Sequence, residues 1–280
     1  MSNLANGLVT ILIPNYNGMP YLEKAIVSCL EQSYDCEIMI VDNGSTDSSI
    51  EYVKNIQKQN PSVTLRFEPK RGISQALNTG LREIKTKYVA RLDSDDEMTR
   101  DRMRIQLELL ENKPEVIVVG SQLLFINEAG FELGESNYPL GTKEVLTSLA
   151  FSNPIAHPSV MYRREEVVRI GLYTPRYNGA EDLDLWIRCL QYGDICNLSL
   201  PLTRYRQHHL QVSKSIKTLS SEIGIRFALL GHPRNPIFPR PKRYLLNFLR
   251  LMEIIFRLFF WKFKFRIPLA LKKLIQEYAK

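Results

Sequence analysis

The chain has 280 residues, 44% hydrophobic and 24% charged, values that exclude a disordered polymer and allow one large α/β domain with an appendage. Its formal charge of +7 is uneven: residues 214–280 hold 15 Lys and Arg against 3 Asp and Glu, a net of +12, which leaves −5 for residues 1–213. A basic end on a mildly acidic body points to an anionic partner for that end, lipid or nucleic acid, with a merely solvated basic face as the simpler alternative.

The N-terminal stretch MSNLANGLVTILIP lacks the positive region and long apolar run of a secretory signal, so the body is expected in the cytoplasm. Apolar runs rich in β-branched residues, 8–14, 37–42, 63–68, 88–93 and 116–125, read as strands. Helical patterns separate them. Pro20 suits the first turn of a helix over 21–31, Ser48 and Glu51 are spaced for a capping box, and 74–84 and 99–111 have helical periodicity. This alternation predicts an α/β fold with a Rossmann-like, mainly parallel twisted sheet flanked by helices. Past residue 125 the pattern loosens to a hairpin turn at 127–130, a strand at 159–162 and a helix over 181–191. Pro233, Pro236, Pro239 and Pro241 mark a linker, so the main body is assigned to residues 1–213 and a basic helical extension to 214–280. The four cysteines, Cys29, Cys36, Cys189 and Cys196, lack the close pairing of a zinc site and read as buried thiols in a reducing compartment.

Sheets of this class bind ligands at the carboxyl ends of their strands, and those ends are polar here. They read Pro14-Asn15-Tyr16-Asn17, Asp42-Asn43-Gly44-Ser45, Lys70-Arg71-Gly72 and Asp93-Ser94-Asp95-Asp96. Three carboxylates within four positions repel one another unless a cation is present, and Mg2+ or Mn2+ suits oxygen ligands while keeping room for phosphates. The simpler alternative is an acidic turn capping the helix that begins near Thr99. Asp42 can accept hydrogen bonds from a base or ribose, or simply cap the next helix with Ser45 and Asp47. Glu181 and Asp182 begin a helix whose dipole favours their anionic forms, so Asp182 can act as a general base if it faces the cleft. His157, His208 and His209 can bind metal or phosphate, or serve only as structural residues.

The segments VTILIPNYNG, IMIVDNGSTD, KRGISQALNTG, YVARLDSDDEM, HPSVMYRR, GAEDLDLW and YRQHHLQVS together resemble the family 2 glycosyltransferases, which have the GT-A fold. The match runs over about residues 8–213. The resemblance implies a nucleotide-sugar pocket with Pro14, Tyr16 and Asp42, Arg71 and Asn78 near the base or diphosphate, and Asp93 near the ribose or metal. It further implies Asp95 and His208 as ligands of Mn2+ or Mg2+, Asp182 as the base, and Glu181 and His157 in the acceptor region. The expected reaction is metal-dependent, inverting transfer from a nucleotide-diphosphate sugar, a UDP-sugar being favoured, to a glycan or lipid-linked hydroxyl.

In the extension, Asn247, Arg250, Glu253 and Arg257 recur at helical spacing over 244–261 and leave a broad apolar face. Such a helix suits insertion at an anionic membrane surface better than a membrane span, with Trp261, Lys262, Phe263, Lys264, Phe265 and Arg266 as an interfacial anchor. Packing on the body or on a second subunit is the alternative. A dehydrogenase is disfavoured because Pro14-Asn15-Tyr16-Asn17-Gly18 stands where a G-x-G-x-x-G turn belongs. A nucleotidyltransferase would carry a glycine-rich basic loop there, and a sugar-nucleotide-binding protein without turnover is the non-enzyme alternative.

Overall fold

In a computed structural model, residues 7–149, 152–208 and Ile225 are described. The chain opens as alternating strands and helices: β1 (Val9–Asn15), α1 (Tyr21–Leu30), β2 (Glu37–Asp42), α2 (Ser49–Gln59), β3 (Val63–Phe67), α3 (Ile73–Glu83) and β4 (Tyr88–Arg91). There follow β5 (Glu97–Met98), α4 (Arg102–Asn112), β6 (Val116–Ile126), β7 (Glu132–Glu135) and α5 (Thr142–Leu149). The last elements are β8 (Met161–Arg163), α6 (Arg164–Arg169), α7 (Glu181–Cys189) and β9 (Asp194–Arg206). The sheet order is β3-β2-β1-β4-β8-β6-β9-β5, with β7 paired to β6. Strands β3, β2, β1 and β4 are parallel, as the βαβ alternation requires. Beyond β4 the sheet is mixed, with β8 antiparallel to β4 and β6, and β9 parallel to β6.

Helices cover both faces. Ile11, Ile13, Ile38 and Ile40 pack with Ala25 and Ile26 of α1 and Met103 and Leu107 of α4. The alternate residues Leu12, Met39 and Val41 pack with Leu77 and Leu81 of α3 and with Leu183 and Trp186 of α7. This period-2 partition of one apolar strand between two buried faces is what a parallel sheet demands. Its consequence is that the polar strand ends project from the carboxyl edge. Arg102 secures that edge from beneath: buried at the start of α4, it donates to the carbonyls of Arg91 (2.9 Å), Pro158 (2.8 Å) and Val160 (3.1 Å).

Several expectations are refined. Ser48 makes no capping hydrogen bond; Asp47 does so instead, its Oδ1 accepting from Ser49 N–H at 3.1 Å while Oδ2 accepts from Met19 N–H at 3.0 Å. An aspartate one residue earlier thus caps α2 and ties it to the loop after β1. The hairpin turn at 127–130 forms, with Gly130 at φ +94° and its N–H on the Asn127 carbonyl. The segment 159–162 divides into a 3-10 turn, His157–Ser159, and β8. The long strand β9 has no counterpart in the sequence reading, because Pro201 interrupts it and the register against β6 shifts there. Cys29 and Cys189 are buried, Cys36 and Cys196 half-buried, and all four are free thiols.

Ile225 lies beyond the expected boundary at residue 213 yet is buried with the α3–α7 cluster. The amphipathic segment 244–261 and its basic anchor lie outside the described residues. No helix among the described residues is long and apolar enough to cross a membrane.

Helix α3 meets the sheet at Gly80, where a Cβ would come within 2.4 Å of Leu12 Cδ1 and 3.3 Å of Val41 Cγ2. Gly80→Val should therefore lower the unfolding free energy by about 1–3 kcal/mol through overpacking. A urea midpoint equal to the parent's would contradict the close approach.

Candidate active site

The loops after β1, β2 and β3 form one hydrogen-bonded unit. Asp42, buried at the end of β2, accepts from the backbone N–H of Gly44 (3.0 Å) and Ser45 (2.9 Å) through Oδ1 and from Asn15 Nδ2 (2.9 Å) through Oδ2. Its carboxylate therefore organises the turn, with Gly44 at φ +84°. Asn43 extends the unit by donating to the Glu68 and Lys70 carbonyls and accepting from Gly72 N–H at 2.7 Å. Pro14 lies opposite Val41 in the β1–β2 register. Tyr16 is half exposed, and the Arg71 guanidinium lies 3.1 Å from its ring centroid while Nη1 donates to the Asn43 carbonyl. Pro14, Tyr16, Asp42 and Arg71 thus come together. Asn78 is engaged elsewhere: its amide both donates to and accepts from the Tyr173 backbone at 2.9 Å, joining α3 to the segment before α7.

Strand β4 ends at Arg91, and the acidic residues occupy the loop between it and β5. One ligand atom from each of Asp93, Asp95 and Asp96 falls within 4.8 Å of the others. Each carboxylate has a distinct neighbour. Asp93 is gripped by both terminal nitrogens of buried Arg91, with Nη1 to Oδ2 at 2.6 Å. Asp95 Oδ2 lies 2.8 Å from His208 Nε2, so the two residues expected to share a metal are in contact. Asp96 is fully buried; Oδ1 accepts from Arg206 N–H at 2.8 Å, and Oδ2 has no hydrogen-bond partner among the described residues. Burial raises Asp96 well above the ordinary carboxylate range, and the charges of Asp95 and Asp93 raise it further. An orphaned carboxylate oxygen among crowded carboxylates is the condition a hard divalent cation relieves, so these residues fit Mg2+ or Mn2+.

At the start of α7, Glu181 is buried, and Oε2 accepts from Gly179 N–H at 2.5 Å. Burial, then the adjacent Asp182 charge, lifts its carboxyl from 4.5 to about 7, against the opposing pull of Gly179 N–H and Arg91. His157 Nδ1 lies 3.6 Å from Glu181 Oε1, and Nε2 is 2.8 Å from the Tyr173 hydroxyl. Burial and the Arg91 charge drive His157 well below 6.5, so the imidazole is neutral and its contact with Glu181 is not an ion pair. Asp182 is half-buried; Oδ1 accepts from Leu183 N–H at 2.8 Å and Oδ2 from Asn153 Nδ2 at 2.6 Å.

Contacts link these groups. A Cβ on Gly18, after β1, would approach the Ser94 side chain at 3.2 Å. Asn178, just before α7, accepts from Ser74 N–H at 3.2 Å beside the Arg71-Gly72 loop. Arg91 reaches both ways, paired with Asp93 and acting electrostatically on Glu181 and His157.

Arg91, Arg206 and Asn153 escaped the sequence reading. Arg206 is fully buried, pairs with Glu97, and donates to the carbonyls of Asp95 (3.0 Å), Asn127 and Glu128 (both 3.1 Å). An arginine facing inward from an otherwise apolar strand was the available signal, at Arg91 in YVAR. Asn153 gave none, because it acts across 29 positions of sequence.

Comparison with known proteins agrees with this geometry. Residues 10–171 match glycosyl transferase family 2. The O-antigen biosynthesis glycosyltransferase WbnJ of Escherichia coli is 30% identical over 214 residues, covering 74% of this chain and 83% of its own. Among solved structures, S. aureus TarS 1–349 in complex with UDP-GlcNAc aligns with a TM-score of 0.69 at 15% identity, over 92% of this chain and 76% of that one. The mannosyltransferase PcManGT of Pyrobaculum calidifontis, in complex with GDP-Man and Mn2+, aligns with a TM-score of 0.65 at 20% identity, over 98% and 80%. With polar loops gathered at one edge of a GT-A sheet and a family match over more than half its length, the chain belongs to glycosyl transferase family 2 and is a glycosyltransferase.

Proposed function

We propose that the protein transfers a sugar from a nucleotide-diphosphate sugar, a UDP-sugar by preference, to a hydroxyl of a glycan or lipid-linked acceptor, with inversion, in cell-surface polysaccharide or lipopolysaccharide synthesis. The observation that carries this reading is buried Arg91, which pairs with the acidic loop and acts on Glu181 beside Asp182. It ties the leaving diphosphate and the deprotonated acceptor to one electrostatic field. The WbnJ relative supports the process, and the UDP-GlcNAc complex of TarS supports the donor.

In this reading Tyr16 takes the base, and Pro14 and the turn organised by Asp42 shape the pocket around base and ribose. Arg71 flanks the base or diphosphate, while Asn78, its amide bound to the Tyr173 backbone, supports the segment before α7. Asp95 and His208, with the Asp96 oxygen and Asp93 beside them, hold Mn2+ or Mg2+. The bound cation supplies Lewis acidity toward the departing diphosphate. Asp182 receives the acceptor hydroxyl's proton as the acceptor oxygen bonds to the anomeric carbon, and the electron pair of the breaking C–O bond leaves with the diphosphate. Glu181, about half protonated at pH 7, limits the negative charge beside that base. His157 buttresses Glu181 on the acceptor side.

Residues 1–213 form the catalytic body in this reading, and the basic extension holds it at the inner face of the cytoplasmic membrane.

One assay separates the roles: nucleotide release from UDP-sugars with candidate acceptors, with and without Mn2+ or Mg2+. Asp95→Ala should lose about 100-fold or more of metal-dependent activity, and Asp182→Asn should lose about 100- to 10,000-fold in transfer while binding donor normally. A fully active Asp182→Asn enzyme would remove the base assignment. For Glu181, a folded pKa of about 7 against 4.5 unfolded contributes stability that is complete below about pH 4.5 and lost as pH rises through 7, at most about 3 kcal/mol. In metal-free thermal melts, Glu181→Gln should gain on the parent as pH rises from about 4.5 to 7; a constant difference over that window would refute the raised value. For the extension, the full chain should float with anionic liposomes and the Lys262→Glu, Lys264→Glu, Arg266→Glu variant should not. Equal flotation would exclude this anchor.

A further inference from the structure

Asp182 can act as a base only if its carboxylate is held toward the acceptor, and the side chain that holds it comes from another part of the chain. We propose that Asn153 is a positioning residue for the base, fixing the Asp182 carboxylate through the hydrogen bond from Nδ2 to Oδ2. This rests on the reading of Asp182 as the base. The geometry is specific. Oδ1 is held by the N–H of Leu183 within α7, whereas Oδ2 is held from outside the helix by Asn153 at 2.6 Å. Two donors on opposite oxygens define the plane of a carboxylate that otherwise turns freely about its last bond. A neutral amide also favours the ionised form, which a base requires, without adding a cation that would compete for a proton.

The support behind Asn153 is built as firmly as the contact. Asn197 of β9 donates to the carbonyls of both Pro154 (3.0 Å) and Pro139 (2.7 Å), stitching the segment that carries Asn153 to the segment that carries Tyr138. Gln122 of β6 grips the Tyr138 backbone in both directions, donating to its carbonyl at 2.9 Å and accepting from its N–H at 2.7 Å. Gly120 leaves room for this arrangement, since a Cβ there would fall 2.2 Å from Asn197 Oδ1. Burial pushes the Tyr138 hydroxyl's pKa up, and the Asp182 charge pushes it further, so this hydroxyl lies within electrostatic reach of the same carboxylate. Among the described residues, the titratable groups that act on Asp182 include Glu181 on its own helix and Tyr138 from the segment after β7. Beyond Glu181 stand Arg91 of β4 and neutral His157 of the 3-10 turn.

The experiment compares kcat–pH profiles and donor affinity for the full-length parent, Asn153→Ala, Asn153→Asp and Asp182→Asn. Asn153→Asp is nearly isosteric and keeps the acceptor that faces Ile155 N–H, so it tests the lost donor without removing the side chain. The acid limb of kcat should move upward by about one pH unit in Asn153→Ala, costing roughly tenfold below that limb, with donor affinity unchanged. It should move further in Asn153→Asp, where two carboxylates share the site. A structural role alone would lower thermal stability and donor affinity while the limb stays in place. Unmoved limbs in both variants, alongside an inactive Asp182→Asn, would overturn the role of Asn153 and leave the base assignment standing. Full transfer by Asp182→Asn would overturn both.

Discussion

The site depends on two buried arginines that hold an acidic loop in a place where its charges would otherwise repel. Arg91 closes on Asp93 from the end of β4, and Arg206 closes on Asp96, Glu97 and the Asp95 carbonyl from the end of β9. Removing Arg91 would leave the partly buried Asp93 without its paired cation, a cost that usually exceeds the worth of the pair itself, whereas Glu97 is also paired with Arg204 at 3.5 Å. The loop is therefore fixed before any ligand arrives, and one carboxylate oxygen, Asp96 Oδ2, keeps unspent electrostatic potential.

The rest of the sheet serves that loop. Parallel strands β1 to β4 deliver four chain ends to one edge, Arg91 among them, and the mixed half, running through β8, β6 and β9, brings Arg206 and His208 back to it from distant sequence. Asp42 and Asn43 turn three separate loops into one unit by saturating their backbone donors and acceptors. Such residues act through geometry. Asp42 in particular spends both carboxylate oxygens on its own turn and on Asn15.

Much of this was legible in sequence, for physical reasons that differ from element to element. The four parallel strands announced themselves because strands buried on both faces are continuous β-branched runs, as in TILI and EIMIVD. The acidic triplet was legible because adjacent carboxylates are costly wherever they occur. Strand β9 was not, since Pro201 and a shifted register conceal its alternation. Asp47 was legible as a cap of α2, and so was Ser48; the choice between them was not, since Asp47 is also held by the Met19 amide of another loop. The contacts of Asn78 with Tyr173 and of Asn153 with Asp182 join residues 95 and 29 positions apart, and no local pattern encodes such pairs.

Ile225 gives the chain a second point of attachment after the catalytic strands end. His208 is moored at Asp95, and 17 residues later (225 − 208) Ile225 is sunk in the cluster that contains Leu183 and Trp186. A chain ending at residue 213 would lack the side chain that Ile225 contributes to the hydrophobic layer shared with Leu183 and Trp186. The layer beneath α7 therefore draws one of its side chains from a position well past the last catalytic strand.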